Sequence, residues 1–188
     1  MRGCAQSQQQ NVLQHGQAVA RTFDQVRLIL EGKAEVPAPW RLPAWLTPGS
    51  AEAQALRHRL APARTLRTYQ IWHDCGKPYC VQEDAQGHRH FVDHAEHSAR
   101  VWRALGGDAR VARLMAQDMD AHLLRAEEIP AFAAREDAAS LWLTALAEVH
   151  ANAQIFGGWE STSFKAKAKH LERRGKALLA HWRENREP

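Results

Sequence analysis

The sequence lacks any long apolar run and has only three cysteines, Cys4, Cys75 and Cys80. No apolar stretch approaches the roughly 18–20 residues that a membrane-spanning helix needs. The N-terminal MRGCAQSQQQ has no apolar core of the kind that a secretory signal requires. The cysteines form neither a CxxC pair nor the even-numbered set of a disulfide framework. We therefore expect a reduced, cytoplasmic protein that does not contact a membrane.

The sequence also shows almost no period-2 alternation of β-branched residues, which is the pattern typical of strands. Alanine and leucine abound, and 45% hydrophobic with 24% charged residues is the balance of a globular domain. We predict an all-α bundle of about six to seven helices in a single domain, residues 1–188. The predicted helical segments are residues 8–31, 51–73, 93–105, 108–125, 138–156 and 163–183. The other predicted segments are a disordered lead-in (1–8), an ordered Pro/Trp-rich loop (36–50) and a basic C-terminal helical region (160–183).

Several predicted helices carry an acid or an imidazole on the face that also carries their apolar residues. These residues are His15, His94, Asp118 with His122, and Glu148. A carboxylate on a buried face is unfavourable unless it is paired or bound to a cation. Any one of these residues has an ordinary explanation as a hydrogen-bonded core residue. Acids and imidazoles that converge from several helices are instead typical of a metal centre inside a helical bundle.

The stretch YQIWHDCGKPYC, residues 69–80, places His73 and Asp74 shortly before a Gly-Lys pair. It resembles the signature of the HD-domain superfamily of metal-dependent phosphohydrolases, in which a His-Asp doublet supplies adjacent metal ligands. The resemblance covers roughly residues 8–156. It implies an HD-domain-like helical bundle with His73 and Asp74 at the core of the metal centre.

Three further stretches extend this resemblance and imply more ligands. NVLQHGQAV is similar to the family's first-helix histidine motif and implies His15, with His58 as the competitor because the loop of residues 32–68 is long. HFVDHAEHSARVW is similar to the stretch that holds a second metal in some members, which implies His94. ALAEVHANAQ stands where the family usually has its final aspartate. The last ligand is therefore Glu148 or, from the preceding helix, Asp118.

Imidazole and carboxylate ligands suit a divalent transition metal, and we expect one or two ions of Mn, Ni, Co, Fe or Zn. Such an ion lowers the pKa of water and polarises a phosphoryl oxygen. His122, four residues after Asp118, is a candidate general acid or a further ligand. Lys77 is a candidate to neutralise a substrate phosphate, and the alternative for it is a solvated lysine in a turn.

The C-terminal stretch GGWESTSFKAKAKHLERRGKALLAHW is rich in lysine and arginine. A serine before an amphipathic helix is a typical N-cap, and a helix N-terminus can also bind phosphate. A basic stripe suits a polyanionic substrate, although such runs are often only a solvated face. The candidate phosphate- or RNA-binding residues are Ser161, Ser163, Lys165, Lys169 and Arg173.

The whole set of motifs is similar to HD modules of bacterial and phage RNA end-healing enzymes. This resemblance implies an enzyme for nucleotide or RNA-end phosphates, of the 2′,3′-cyclic phosphodiesterase or 3′-phosphomonoesterase type. The alternatives are a nucleotidase for small nucleotides and a non-catalytic, metal-stabilised RNA-binding module. A redox role like that of HD-related diiron oxygenases is compatible with the ligand types. The sequence specifies no oligomeric state.

Overall fold

The computed structural model describes residues 1–6 and 10–185 of the 188-residue chain. The described part is mostly helical with one short hairpin, which confirms the predicted fold class. The elements in chain order are α1 (Val12–Leu30), α2 (Ala51–Arg57), α3 (Ala63–Trp72), a 3-10 turn (Lys77–Tyr79), β1 (Val81–Glu83), β2 (Arg89–Phe91), α4 (His94–Ala104), α5 (Ala109–Ala116), α6 (Asp120–Leu123), a second 3-10 turn (Ala126–Glu128), α7 (Ile129–Ala133), α8 (Ala138–Ala151) and α9 (Thr162–Glu184).

The chain divides into two compact units. The first unit comprises Met1–Ala20 and Pro62–Met119, and the second comprises Arg21–Ala61 and Asp120–Pro188. Among the described residues, no helix combines the length and the apolar character needed to cross a membrane. The single HD-type domain that we predict for the whole chain stays a prediction.

In the first unit, α5 packs against both α3 and α4. Its buried residues Val111, Leu114 and Met115 follow the 3.6-residue period of an amphipathic helix. The Asp108 carboxylate accepts a hydrogen bond from the Val111 N–H at 3.0 Å and thereby caps the helix. The position of α5 brings the segment that follows it, with Asp118, close to the end of α3.

The segment between the His-Asp doublet and α4 contains the β1–β2 hairpin. Its turn centres on Gly87, whose φ of +79° favours glycine. The Asp84 carboxylate accepts hydrogen bonds from the backbone N–H groups of Gln86 and His88 and holds the turn. Three-residue strands are too short to show alternation in the sequence.

The predicted lead-in, residues 1–8, lies partly outside the described residues, because residues 7 and 8 are not described. Residues 1–6 form turns, and Ala5 pairs with Asn11 in an isolated antiparallel bridge. This arrangement places the side chain of Gln6 beside the first unit's buried polar residues, as described below.

In the second unit, α9 packs along α7 and α8, and α8 is buried over nearly its whole length. The Trp142 indole N–H donates to the Leu171 carbonyl at 2.9 Å. The loop of residues 36–50 is ordered by its tryptophans: Trp45 packs on Trp142 with ring centroids 5.6 Å apart, and Trp40 packs on His150 at 5.3 Å. Aromatic contacts therefore hold the proline-rich segment in place.

Candidate metal centre

The His-Asp doublet lies directly after α3, where the helix gives way to a turn. His73 and Asp74 are both buried in the first unit. The Nδ1–H of His73 donates to the Gln70 carbonyl at 2.8 Å, since a carbonyl oxygen can only accept. The other ring nitrogen, Nε2, lies 3.3 Å from Asp74 Oδ2. The backbone therefore fixes the ring so that Nε2 faces the carboxylate.

His15 joins the doublet from α1 and is 0% exposed. Its Nε2 lies 3.6 Å from Asp74 Oδ2, and its ring packs edge-on against that of His73 with centroids 5.2 Å apart. The next residue, Gly16, allows this approach. A Cβ at that position would lie 2.7 Å from the carbonyl carbon of Ile71 on α3 and closer still to its oxygen. Only glycine lets α1 come so near the backbone of α3.

His94, the first residue of α4, faces the other carboxylate oxygen of Asp74. Its Nδ1–H donates to the Phe91 carbonyl at 3.1 Å, and its Nε2 lies 3.7 Å from Asp74 Oδ1. A second glycine, Gly76, permits the approach of α4, because a Cβ there would lie 2.5 Å from the carbonyl carbon of His97. The Gly76 N–H donates to the Ser98 hydroxyl at 2.9 Å, which joins the doublet's turn to α4.

Asp118 is a further buried acid of the first unit, in the turn after α5. Its carboxylate accepts a hydrogen bond from the Tyr69 hydroxyl. Ligand atoms of His73 and Asp118 lie within 4.8 Å of one another. Tyr69 is not among the predicted site residues, although its position four residues before His73 on the same helix face was a usable signal.

Lys77 is 6% exposed and not a solvated turn residue. Its Nζ donates to Asp74 Oδ2 at 2.6 Å and to the Gln6 side-chain oxygen at 2.9 Å. Burial alone would raise the pKa of Asp74, but His73, Lys77 and His15 hold it below its ordinary value. Asp74 is thus a carboxylate with imidazoles on two sides and an ammonium on a third.

This arrangement fits a metal ion. His15, His73 and Asp74 each offer a ligand atom, and the three atoms lie within 4.8 Å of one another. In the neutral imidazole with its proton on Nδ1, the Nε2 lone pair of His73 would face a carboxylate oxygen at 3.3 Å. Two electron-rich atoms at that distance repel each other unless a proton or a metal cation lies between them. The buried His/Asp cluster could therefore hold a metal ion.

Two other predicted site residues lie in the second unit. His122 Nε2 is 3.0 Å from Glu148 Oε2, and the Asn152 side-chain amide lies 3.5 Å from the other carboxylate oxygen. The roles of His122 and Glu148 toward a metal or a substrate stay predictions. His58, the competitor of His15, also belongs to the second unit and is exposed at the end of α2.

The predicted phosphate-binding residues begin at the N-terminus of α9. The Ser161 hydroxyl accepts from the Phe164 N–H at 3.1 Å and donates to the Gly158 carbonyl at 2.8 Å, so it caps the helix. Lys165 forms an ion pair with Glu160 at 2.8 Å. The remaining predicted contacts, Ser163, Lys169 and Arg173, are exposed.

The thiols next to the cluster are poor nucleophiles. Burial raises the pKa of Cys75 to about 11, and burial also raises the pKa of Cys80. A thiol with such a pKa is almost wholly protonated near neutral pH. The candidate site residues of the cluster are therefore the imidazoles, the carboxylates and Lys77.

A cavity of about 390 Å³ in the second unit contains none of the predicted site residues among the described residues that line it. Its Arg135 is paired with Asp120, and its Arg125 is paired with Glu128. These ion pairs leave the cavity lining with no excess positive charge that would attract a phosphate.

Comparisons of the chain with protein-family models, with curated proteins and with solved structures find no match.

Proposed function

We propose that the protein is a metal-dependent phosphohydrolase that acts on nucleotide or RNA-end phosphates, with the HD-type centre of the first unit as its catalytic site. The observation that carries this proposal is the convergence of the His15, His73 and His94 Nε2 atoms on the two oxygens of Asp74, at 3.3–3.7 Å. These residues are the ones that the resemblance to HD phosphohydrolases implies.

The donor set supports one or two divalent ions of Mn, Ni, Co, Fe or Zn. A bound ion would lower the pKa of a water molecule and polarise a phosphoryl oxygen. His15, His73 and Asp74 would hold the first ion, while His94 and Asp118 are the candidates for completing the shell or holding a second one. The Gln70 and Phe91 carbonyls orient the rings of His73 and His94 and make them stronger ligands.

Lys77 is the residue proposed to neutralise the substrate phosphate. Its ammonium is already held beside the cluster by Gln6 and lies 5.2 Å from the centre of the Phe91 ring. A fixed, buried cation stabilises the charge that develops on phosphoryl oxygens better than a solvated one does.

We further propose that the substrate phosphate lies at the end of an RNA strand. The support for this is the likeness to RNA end-healing modules together with the exposed cations of α9. Ser163, Lys165, Lys169 and Arg173 are the proposed contacts to the phosphates of the strand. The Ser161 hydroxyl serves the helix cap, so its contribution would come through the ordered N-terminus of α9.

The test is hydrolysis of 2′,3′-cyclic nucleotides and p-nitrophenyl phosphate esters by the purified protein with Mn²⁺ or Ni²⁺. His73→Ala and His15→Ala should abolish turnover, because each removes a ligand of the same ion. The matched control His58→Ala removes an exposed histidine and should retain full activity. Unchanged turnover in His73→Ala would end the proposal.

A second comparison separates the substrate classes. Rates on a free nucleotide should be lower than rates on the same phosphate at the end of an oligoribonucleotide. Equal rates would favour the nucleotidase alternative, in which the basic face of α9 is only solvated. Stoichiometric metal without turnover on any phosphoester would favour a metal-stabilised RNA-binding module.

A further inference from the structure

One oxygen of Asp74, Oδ2, faces three basic side chains of the cluster. Oδ2 accepts the 2.6 Å hydrogen bond from Lys77 Nζ and also faces His73 Nε2 at 3.3 Å and His15 Nε2 at 3.6 Å. The ammonium of Lys77 therefore occupies the same carboxylate oxygen that a metal ion held by His15 and His73 would use.

Two cations cannot share that oxygen without strong repulsion. The ammonium balances the single charge of the buried Asp74 carboxylate, so the pair is neutral together. A divalent ion at the same oxygen would lie only a few ångströms from the ammonium, and like charges that close repel each other strongly in a buried site. Metal binding and the Lys77–Asp74 ion pair therefore oppose each other.

Two other groups beside Lys77 can hold its ammonium if it leaves Asp74. Its Nζ is 2.9 Å from the Gln6 side-chain oxygen and 5.2 Å from the centre of the Phe91 ring, and both groups can hold a cation. A small rotation of the lysine side chain would break the contact with Asp74 and keep these two partners. The ammonium would then stay beside the cluster with one donor position open.

We propose that Lys77 is an exchangeable counter-ion of Asp74 that a divalent metal displaces, and that the displaced ammonium makes metal binding and phosphate binding mutually favourable. This inference rests on the metal centre of the proposed function. In the absence of phosphate, Lys77 weakens metal affinity. A phosphate bound to the ammonium neutralises it, removes the repulsion and thereby strengthens metal binding, and by linkage the metal strengthens phosphate binding.

The proposal predicts an effect opposite in sign to that of an ordinary structural ion pair. If Lys77 only stabilised the fold, its removal would loosen the cluster and weaken metal binding. If it is a displaceable counter-ion, its removal strengthens metal binding, because the ion no longer competes with an ammonium for Asp74.

The experiment is calorimetric titration of Mn²⁺ into the metal-free full-length protein, with and without inorganic phosphate. Lys77→Met should bind Mn²⁺ about tenfold or more tightly than the wild type. Gln6→Glu places a carboxylate at the second partner of Lys77, keeps the lysine and should also tighten Mn²⁺ binding. The control Arg100→Met removes an exposed cation of α4 and should change the affinity by less than about twofold.

Phosphate supplies the second arm of the experiment. Inorganic phosphate should tighten Mn²⁺ binding to the wild type by several-fold, and Lys77→Met should lose most of this enhancement. Gln6→Glu keeps the test decisive if Lys77→Met does not fold without metal, since it retains the Lys77 ammonium beside the buried carboxylate. Mn²⁺ affinities that fall or stay unchanged in both variants would overturn this inference alone. A wild type that binds no Mn²⁺ would overturn it together with the proposed function.

Discussion

Replacing Gly16 by alanine should weaken both the first unit and its metal centre, although alanine is the better helix former. In an exposed helix interior this change stabilises a protein by about 0.5–1 kcal/mol. At Gly16 the added Cβ would have to move from 2.7 Å to at least 3.4 Å from the carbonyl carbon of Ile71. That neighbour is backbone and cannot rotate away.

The magnitude follows from the two opposing effects. Overpacking in a close-packed interior destabilises by about 1–3 kcal/mol, and a clash with backbone belongs at the upper end. After the gain in helix propensity is subtracted, Gly16→Ala should lower the free energy of unfolding by about 2 kcal/mol. Because His15 directly precedes Gly16 on α1, a displacement of Gly16 also displaces His15. A shift of most of an ångström is large beside a ligand bond of about 2.0–2.1 Å, so metal affinity should fall roughly 10–100-fold.

The assays are urea unfolding and Mn²⁺ titration of the folded protein, with Gly175→Ala as the matched control. Gly175 is also inside a helix, and a Cβ there would lie 2.5 Å from the Cε2 atom of the Trp142 ring in the second unit and closer still to a neighbouring ring atom. The control should lose stability without a comparable loss of metal affinity. The reasoning is refuted if Gly16→Ala is more stable than the wild type, or if both variants change metal affinity equally.

Three further predictions concern hydrogen bonds to side-chain oxygens. Tyr69→Phe removes the hydroxyl that donates to Asp118 and should lower the free energy of unfolding by about 1.5–3 kcal/mol, measured by urea unfolding. Ser98→Ala removes the acceptor of the buried Gly76 N–H and should lower the free energy of unfolding by about 1–3 kcal/mol in the same assay. An unchanged free energy of unfolding would contradict a stabilising role of this hydrogen bond between the doublet's turn and α4. Hydrogen bonds from the hairpin's imidazole and backbone N–H groups lower the pKa of Asp84 to about 2. A carboxyl group whose pKa is lower in the folded than in the unfolded protein stabilises the fold above the unfolded pKa of about 3.9, and this stabilisation is lost as the pH falls toward the folded pKa. The difference in free energy of unfolding between the wild type and Asp84→Asn should therefore shrink as the pH falls from about 4 to 2. A difference that stays constant over that range would contradict this sign.

The helices were largely predictable because their apolar residues repeat at the helical period. The segment predicted for residues 138–156 contains α8, Ala138–Ala151, and the one for residues 163–183 nearly coincides with α9, Thr162–Glu184. The segment predicted for residues 108–125 is divided between α5 and α6. The turn between them places Asp118, and its hydrogen bond to Tyr69 is tertiary, so no local pattern signals the break.

The residues of the candidate site that could be predicted are those whose type and position are unusual in the sequence. His15 was recognisable because an imidazole stands on an otherwise apolar stripe, and His73 with Asp74 because the doublet is a motif. The roles of Gly16 and Gly76 could not be predicted, because they depend on which backbone segments pack against these glycines. The burial of Lys77 was not predictable either, because lysines in turns are usually solvated, whereas this one is buried against Asp74.

The central claim is that the buried imidazoles and carboxylate of the first unit hold one ion in common. Anomalous diffraction at the metal edge from crystals of the Mn²⁺-loaded protein tests it most directly. We predict a peak at roughly 2.0–2.2 Å from the Nε2 atoms of His15 and His73 and from an oxygen of Asp74. A fully loaded protein whose anomalous peaks all lie away from these three residues would contradict the account.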